Sequence, residues 1–173
     1  IMSILTGYTK VCKKTSGGVL TIGLIEKENF KGATLDADSD AYSAITLAAQ
    51  SAFSKYEFLE DEAEFKEDTK RENGSGGITK SLVFKLPTMN AASRKAVQEI
   101  IEASYCGLVA VVITPNGDAF VVGYGEDVKL ERPLRISQST GTTGKKFSDA
   151  NGDEVTLTCD HTEKSRIYSG DTD

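Results

Sequence analysis

The stretch "YEFLEDEAEFKEDTKRENGSGGITKSLVFKL", residues 56–86, decides the fold. Two extended, partly alternating runs flank "ENGSGG". Glycine-rich punctuation between alternating runs predicts a β-hairpin with a flexible tip. The return run opens at Ile78 and sets Leu82, Phe84 and Leu86 on one face, with Lys80 on that face nearer the tip. Ser81, Val83 and Lys85 take the other face, since side chains alternate along a strand. The hairpin is long and its tip is polar. That pattern predicts an arm at about 63–86 projecting from a compact body.

The chain downstream of the hairpin supplies one helix. "PTMNAASRKAVQEIIEASYCG" (87–107) starts at Pro87, offers Thr88 or Asn90 as a cap, and ends at Gly107. Val97, Ile100, Ile101 and Ser104–Tyr105 follow the helical stripe. Its apolar face must lie on something, and a sheet is the expected partner. Other segments read as strands: 19–25, the end of 36–47, 108–114, 119–125, 127–131, 134–140 and 154–161. "PNGD" joins two of them as a hairpin turn. Residues 48–55 have helical composition but stay ambiguous, and the tail from about 162 is polar and expected to be loosely ordered. The predicted fold class is mainly β with one α-helix. The architecture is an antiparallel β-sandwich or partly open barrel flanked by that helix, in a single domain over 1–173.

Length and composition bound the function. At 173 residues the chain can bury a sizeable core. Its longest apolar run, 107–113, is too short to span a bilayer, so no membrane anchoring is expected, and no signal peptide is visible. The formal net charge of −6 argues against a surface that grips nucleic acid, which needs clustered Lys and Arg. It is compatible with a surface that nucleic acid slides past. Cys12, Cys106 and Cys159 are odd in number and form no CxxC pair, which argues against a disulfide framework.

Motifs for catalysis or cofactors fail on spacing. "TGTTGKKFSDANGDEVTLT" (140–158) has the composition of a phosphate loop. However, Gly141 and Gly144 are too close, Lys145 precedes another lysine, and a turn and strand follow where a helix is needed. Asp36, Asp38 and Asp40 start like a calcium loop, but Ala41 and Leu47 stand where Gly and Glu are required. "GYGED" lacks the third glycine of a dinucleotide fingerprint. Cys159 and the single histidine, His161, are too few for a zinc site. No triad or nucleophile elbow is recognisable. No catalytic residue, metal site or cofactor is therefore expected, and the chain reads as a non-enzyme.

Three stretches carry a family resemblance: "RENGSGGITKSLVFKLP", the helix "AASRKAVQEIIEAS" running into "LVAVVITPNGDAFVVGYGEDVKL", and "STGTTGKKFSDANGDEVTLTCDHTEKS". Together, over about residues 56–165, they resemble the tail tube (major tail) proteins of tailed phages, particularly those infecting Bacteroidetes-type bacteria. The resemblance implies a structural virion protein, made in the host cytoplasm and placed in the tail. Its subunits would form hexameric rings that stack into a tube for DNA ejection. Partners would be further copies of the chain and other tail, neck or baseplate proteins, with DNA passing non-specifically. The arm would dock on a neighbouring subunit or ring through Phe65, Asn73, Gly74, Gly76, Gly77, Ile78, Leu82 and Phe84. Acids at Glu60, Glu62 and Glu64, which share one strand face, would line the lumen and repel phosphates. The alternatives are another ring-forming neck, tail or contractile-secretion inner-tube component, and a monomeric β-barrel binding module. The module is disfavoured because the chain has no Trp to anchor a ligand.

Overall fold

The computed structural model describes residues 5–10, 12–58, 61–149 and 151–170. Two sheets pack against each other. The larger, sheet A, comprises β1 (Thr21–Glu26), β2 (Phe30–Asp36), β3 (Ala41–Leu47), β4 (Ser54–Tyr56), β7 (Leu108–Ile113), β8 (Ala119–Val122) and β11 (Ile167–Tyr168), in the order β2-β3-β11-β8-β7-β1-β4. Sheet B comprises β5 (Ala63–Glu72), β6 (Ser75–Pro87), β9 (Arg135–Thr142) and β10 (Gly152–His161), in the order β5-β6-β10-β9. Every pairing is antiparallel except the single β11–β3 contact. The expected class, a mainly β sandwich with one helix, is the class observed.

The unbroken apolar run "LVAVVI" explains why β7 sits mid-sheet, because a strand buried on both faces needs no polar side. On the face toward sheet B, Ile22, Leu24, Ala110, Val112 and Val122 meet Leu82, Phe84, Leu86, Val155 and Leu157. On the opposite face, Ile25, Val109 and Val121 pack with Phe30, Tyr42 and Tyr124, so sheet A curls until β2 and β3 cover its second side. Tyr124 fixes that curl, its ring lying 5.0 Å from Phe30 and 5.7 Å from Tyr42. Each such side chain removed from water contributes about 1.5–3 kcal/mol.

Helix α1 (Ala91–Ser104) adds Val97 and Ile100 to the inter-sheet core. Asn90 caps it by accepting from the Ser93 N–H, and the Ser93 hydroxyl oxygen accepts from the Asn90 N–H in return. Arg94 ties the helix to sheet B by donating to Asp153 Oδ1 at 3.2 Å. Gly107 ends this region at φ +111°, where a Cβ would collide with the Pro133 ring.

Several expectations require correction. Residues 127–131 are not a strand: the Lys129 N–H closes a turn onto the Gly125 carbonyl, and Asp127 is spent on side-chain contacts. Residues 30–36 form a strand that the alternation did not reveal. Residues 48–55 turn and enter β4 with no helix. Tyr105 ends the helical stripe exposed, not packed. The tail is not loose at 162–170, because β11 wedges between β3 and β8.

The hairpin is corrected most. It does not project over 63–86. β6 is paired on both sides, with β5 from Ser75 onward and with β10 from Ile78↔His161 to Pro87↔Gly152. The alternating face of Leu82, Phe84 and Leu86 is the reason, since those side chains gain more inside the core than on an arm. The stretch 70–77 alone extends past the end of β10.

Candidate assembly surface

Sheet B ends on both sides in an open strand. β5 has ten residues and β9 has eight, and among the described residues neither pairs on its outer side. The hydrogen-bond phase identifies the free groups. Lys85 N–H donates to Glu62 O, and the two-residue turn makes Glu72↔Ser75 a bonded pair. Even-numbered residues of β5 therefore bond β6, and Ala63, Phe65, Glu67, Thr69 and Arg71 direct their N–H groups outward. Such a row is a template for another strand.

The solvent face of the sheet is polar across all four strands. Glu64, Lys66 and Asp68 of β5 stand in line with Val83, Ser81 and Thr79 of β6, then Thr156, Thr158 and Asp160 of β10, while Lys70 lies opposite Gly77 past the end of β10. Lys85, Glu154 and Thr140 form the next row. Acids and bases alternate, so no row is purely acidic. Glu62 and Glu64 are exposed at the β5 edge, followed on that face by Lys66, and Glu60 lies outside the described residues.

The residues proposed for the arm separate into two groups. Asn73 and Gly74 form the tight turn with φ of 51° and 81°, which favours this Asn-Gly pair in a hairpin. Gly76 and Gly77 continue the exposed tip opposite Arg71 and Lys70. Ile78, Leu82 and Phe84 are buried, and Phe65 is half-buried with its ring 5.7 Å from Phe120. Those four are committed to the subunit's own core and do not offer docking contacts.

The inner face of sheet B also holds a buried polar cluster. Lys80 is 1% exposed, with Nζ 4.0 Å from Glu67 Oε2, and Cys159 is its cross-strand neighbour. Burial lowers the lysine's pKa, while Cys159, Glu67, Asp127 and Glu163 oppose that shift. Burial pushes the Cys159 thiol up to about 12, with Lys80 countering in part. A thiol so held is not a nucleophile. His161 is enclosed: Nε2 meets the Arg132 carbonyl at 2.9 Å and Nδ1 meets Asp127 Oδ1 at 3.3 Å. Neither ring nitrogen is left for a substrate or a metal.

Asp127 organises the corner. Thr162 donates to its Oδ2 from N–H at 2.6 Å and from the hydroxyl at 2.9 Å. Burial alone would raise its pKa; the N–H groups of Thr162 and Val128, the Thr162 hydroxyl and His161 outweigh that and hold it well below the usual carboxylate range. A Cβ at 125 would lie 2.6 Å from Asp127 Oδ1, so any larger residue would displace that carboxylate from its partners. Glu163 accepts from the Glu126 N–H and from Arg166, and Arg166 Nε reaches Asp40 Oδ1 at 3.2 Å. The cluster locks the C-terminal segment down.

The remaining motifs are structural. The Lys145 and Lys146 N–H groups both donate to Asp149 Oδ2 at 3.0 Å, so the glycine- and lysine-rich stretch is a self-capped turn between β9 and β10. Asp36 accepts from the Asp38 N–H, and Asp40 pairs with Arg166. Among the described residues no group of three His, Cys, Asp or Glu side chains could hold a metal ion. No described helix is long and apolar enough to cross a membrane.

Sequence reasoning overlooked Phe147. It stands fully exposed on the turn that follows β9. Its signal was an apolar residue between "KK" and "SD", outside any alternating run. Comparison with family models, with curated proteins and with solved structures returns no match to this chain.

Proposed function

We propose that the chain is a self-assembling structural subunit of the phage tail-tube type, which joins copies of itself side by side through the two open edges of sheet B. The observation that carries this reading is the pair of long, uncovered and oppositely running edge strands. β9 runs toward the end of the sheet where Gly152 pairs Pro87, and β5 runs away from it. β9 of one copy and β5 of the next therefore meet antiparallel when copies are placed side by side, with sheet B facing the same way in each. Repeated around an axis, that step closes a barrel and removes both open edges of sheet B.

The wall of such a barrel is the polar face of sheet B, rich in Thr, Ser and mixed charge. Threonines and paired charges offer a passing phosphate backbone no cluster of free cations to bind. The chain as a whole, at −6, adds no net attraction. A role as conduit subunit follows, with further tail components as partners and with no turnover chemistry assigned to the buried cluster.

Negative-stain electron microscopy over a concentration series, with light-scattering mass alongside, tests the proposal. Rings or tubes with a central hole are expected. A particle that stays monomeric at every concentration, with and without other tail components, contradicts it.

A further inference from the structure

We propose that residues 163–169 form a latch that holds the β2–β3 hairpin shut over sheet A, and that latch and hairpin open together as one unit while the two-sheet core stays closed. The device works within one copy and does not depend on the side-by-side reading above.

The strand ladder has one narrow point. Among the described residues β2 pairs with β3 alone, and β3 reaches the rest of sheet A only through β11, which has two residues. Tyr168↔Tyr42 joins β11 to β3, and Ile167↔Phe120 and Tyr168↔Ala119 join it to β8. By contrast, β6 and β10 pair from Ile78↔His161 to Pro87↔Gly152. A ladder parts where the fewest bonds must open together, and cooperative units of lower stability follow such boundaries.

The hairpin also covers a core of its own. Phe30 and Tyr42 pack with Ile25, Val109, Val121 and Tyr124, on the face of sheet A opposite the inter-sheet core. Lifting the hairpin uncovers this second cluster and leaves Leu82, Phe84, Val155 and Leu157 buried against sheet A. At the Thr21↔Ile113 end the cover is incomplete. A cavity of about 370 Å³ remains there between Ile45 and Leu47 of β3, Phe53, Val111, Ile113 and Tyr168. Space of this kind forfeits packing contacts. The Tyr42 hydroxyl is buried with no hydrogen-bond partner among the described residues, and water can satisfy it once the hairpin lifts.

The latch makes few bonds, and its partners lie on both sides of the narrow point. Toward the hairpin, Arg166 Nε donates to Asp40 Oδ1 at 3.2 Å on the β2–β3 turn, and the Ser169 N–H donates to the Tyr42 carbonyl at 2.8 Å. Toward the body, the Val121 N–H donates to the Arg166 carbonyl at 3.0 Å, and the Ser165 N–H donates to Glu67 Oε2 at 2.9 Å. The Asp40 side chain is mostly exposed, and an ion pair with one partner in water is weak. The hairpin therefore stays shut while 166–169 is seated and is freed when that segment lifts. Opening uncovers Phe30 and Tyr42, so it is rare, and hydrogen exchange detects such rare states.

Amide hydrogen exchange of the full chain, followed by mass spectrometry at a dilute concentration, tests this. Peptides covering 30–47 and 163–170 should share one opening equilibrium, roughly tenfold or more above that of peptides covering 78–86 and 152–161. Arg166→Ala, and separately Ser169→Pro, should speed exchange over both 30–47 and 163–170 by roughly fivefold or more and leave 78–86 and 152–161 unchanged. Lys95→Ala, on the exposed face of α1, should change none of these regions. Protection of 30–47 equal to that of 78–86 in the unaltered chain overturns the proposal, because hairpin and two-sheet core would then be one unit. Faster exchange confined to 163–170 in both variants also overturns it, because the tail would then fray without releasing the hairpin. Equal acceleration of all four regions in either variant overturns it as well, since the latch would then hold the whole molecule and not the hairpin.

Discussion

β5 and β6 are the two arms of one hairpin, joined by a two-residue turn, yet they live in different environments. β6 is interior: it is bonded on both sides, and one face supplies Leu82, Phe84 and Leu86 to the core. β5 is an edge: it is bonded on one side, and its outward N–H groups have no strand partner among the described residues. The same alternating pattern serves both strands. The difference shows that a strand's role is set by what pairs with its second side, and that for β5 the second side is available to another molecule.

The strongest way to break the comparison is in the interior. Phe84→Ala should cost about 3–5 kcal/mol in denaturant unfolding, because the ring is fully buried between the sheets. Ser81→Pro should cost about 3 kcal/mol, since Ser81 pairs with Lys66 in the bonded phase and also lies beside β10. Lower on the scale, Asp127→Asn should cost about 2 kcal/mol by weakening the charge-assisted bonds from Thr162 and His161. The sign of its pH dependence follows from the depressed folded-state pKa. The stabilisation is complete above the unfolded carboxylate value of about 3.9 and is lost as pH falls toward the folded value. Melting curves from neutral to acid pH should therefore converge for wild type and Asp127→Asn at the acid end. The smallest effect on folding is expected at the edge. Thr69→Pro should change stability by less than about 1 kcal/mol, because its N–H points outward, yet it should abolish self-association in sedimentation. The Ser81→Pro and Thr69→Pro pair sharpens the comparison, since one chemical change is applied to each arm of the hairpin.

Much of this fold was legible in the sequence because turn and cap chemistry is local. Asn73–Gly74, Asn116–Gly117 and the Asn90 cap each encode their geometry within a few residues. What was illegible is pairing across distance. Nothing within 75–87 says that β10 lies on its far side, so an alternating run that ends in a polar tip resembles a free arm. Residues 127–131 alternate like a strand, but Asp127 is drawn off by Thr162 and His161. The tail looked loose because its order comes from distant partners, the short β11 between β3 and β8, Arg166 to Asp40 and Glu163 to the Glu126 N–H, which no local pattern announces. For the assembly surface, the composition indicated polarity and the phase of the free N–H groups did not emerge until β5 had a known partner. Phe147 was readable as an apolar residue but carried no periodic signal to set it apart.

The central claim is that β5 and β9 join between copies, and amide hydrogen exchange tests it most directly. Exchange would be followed by mass spectrometry at a dilute, monomeric concentration and at an assembling one. The account predicts that peptides covering 63–71 and 135–142 become protected on assembly while those covering β7 stay equally protected in both. Equal exchange of the β5 and β9 amides in monomer and assembly would contradict it, and would place the contact between copies elsewhere on the molecule.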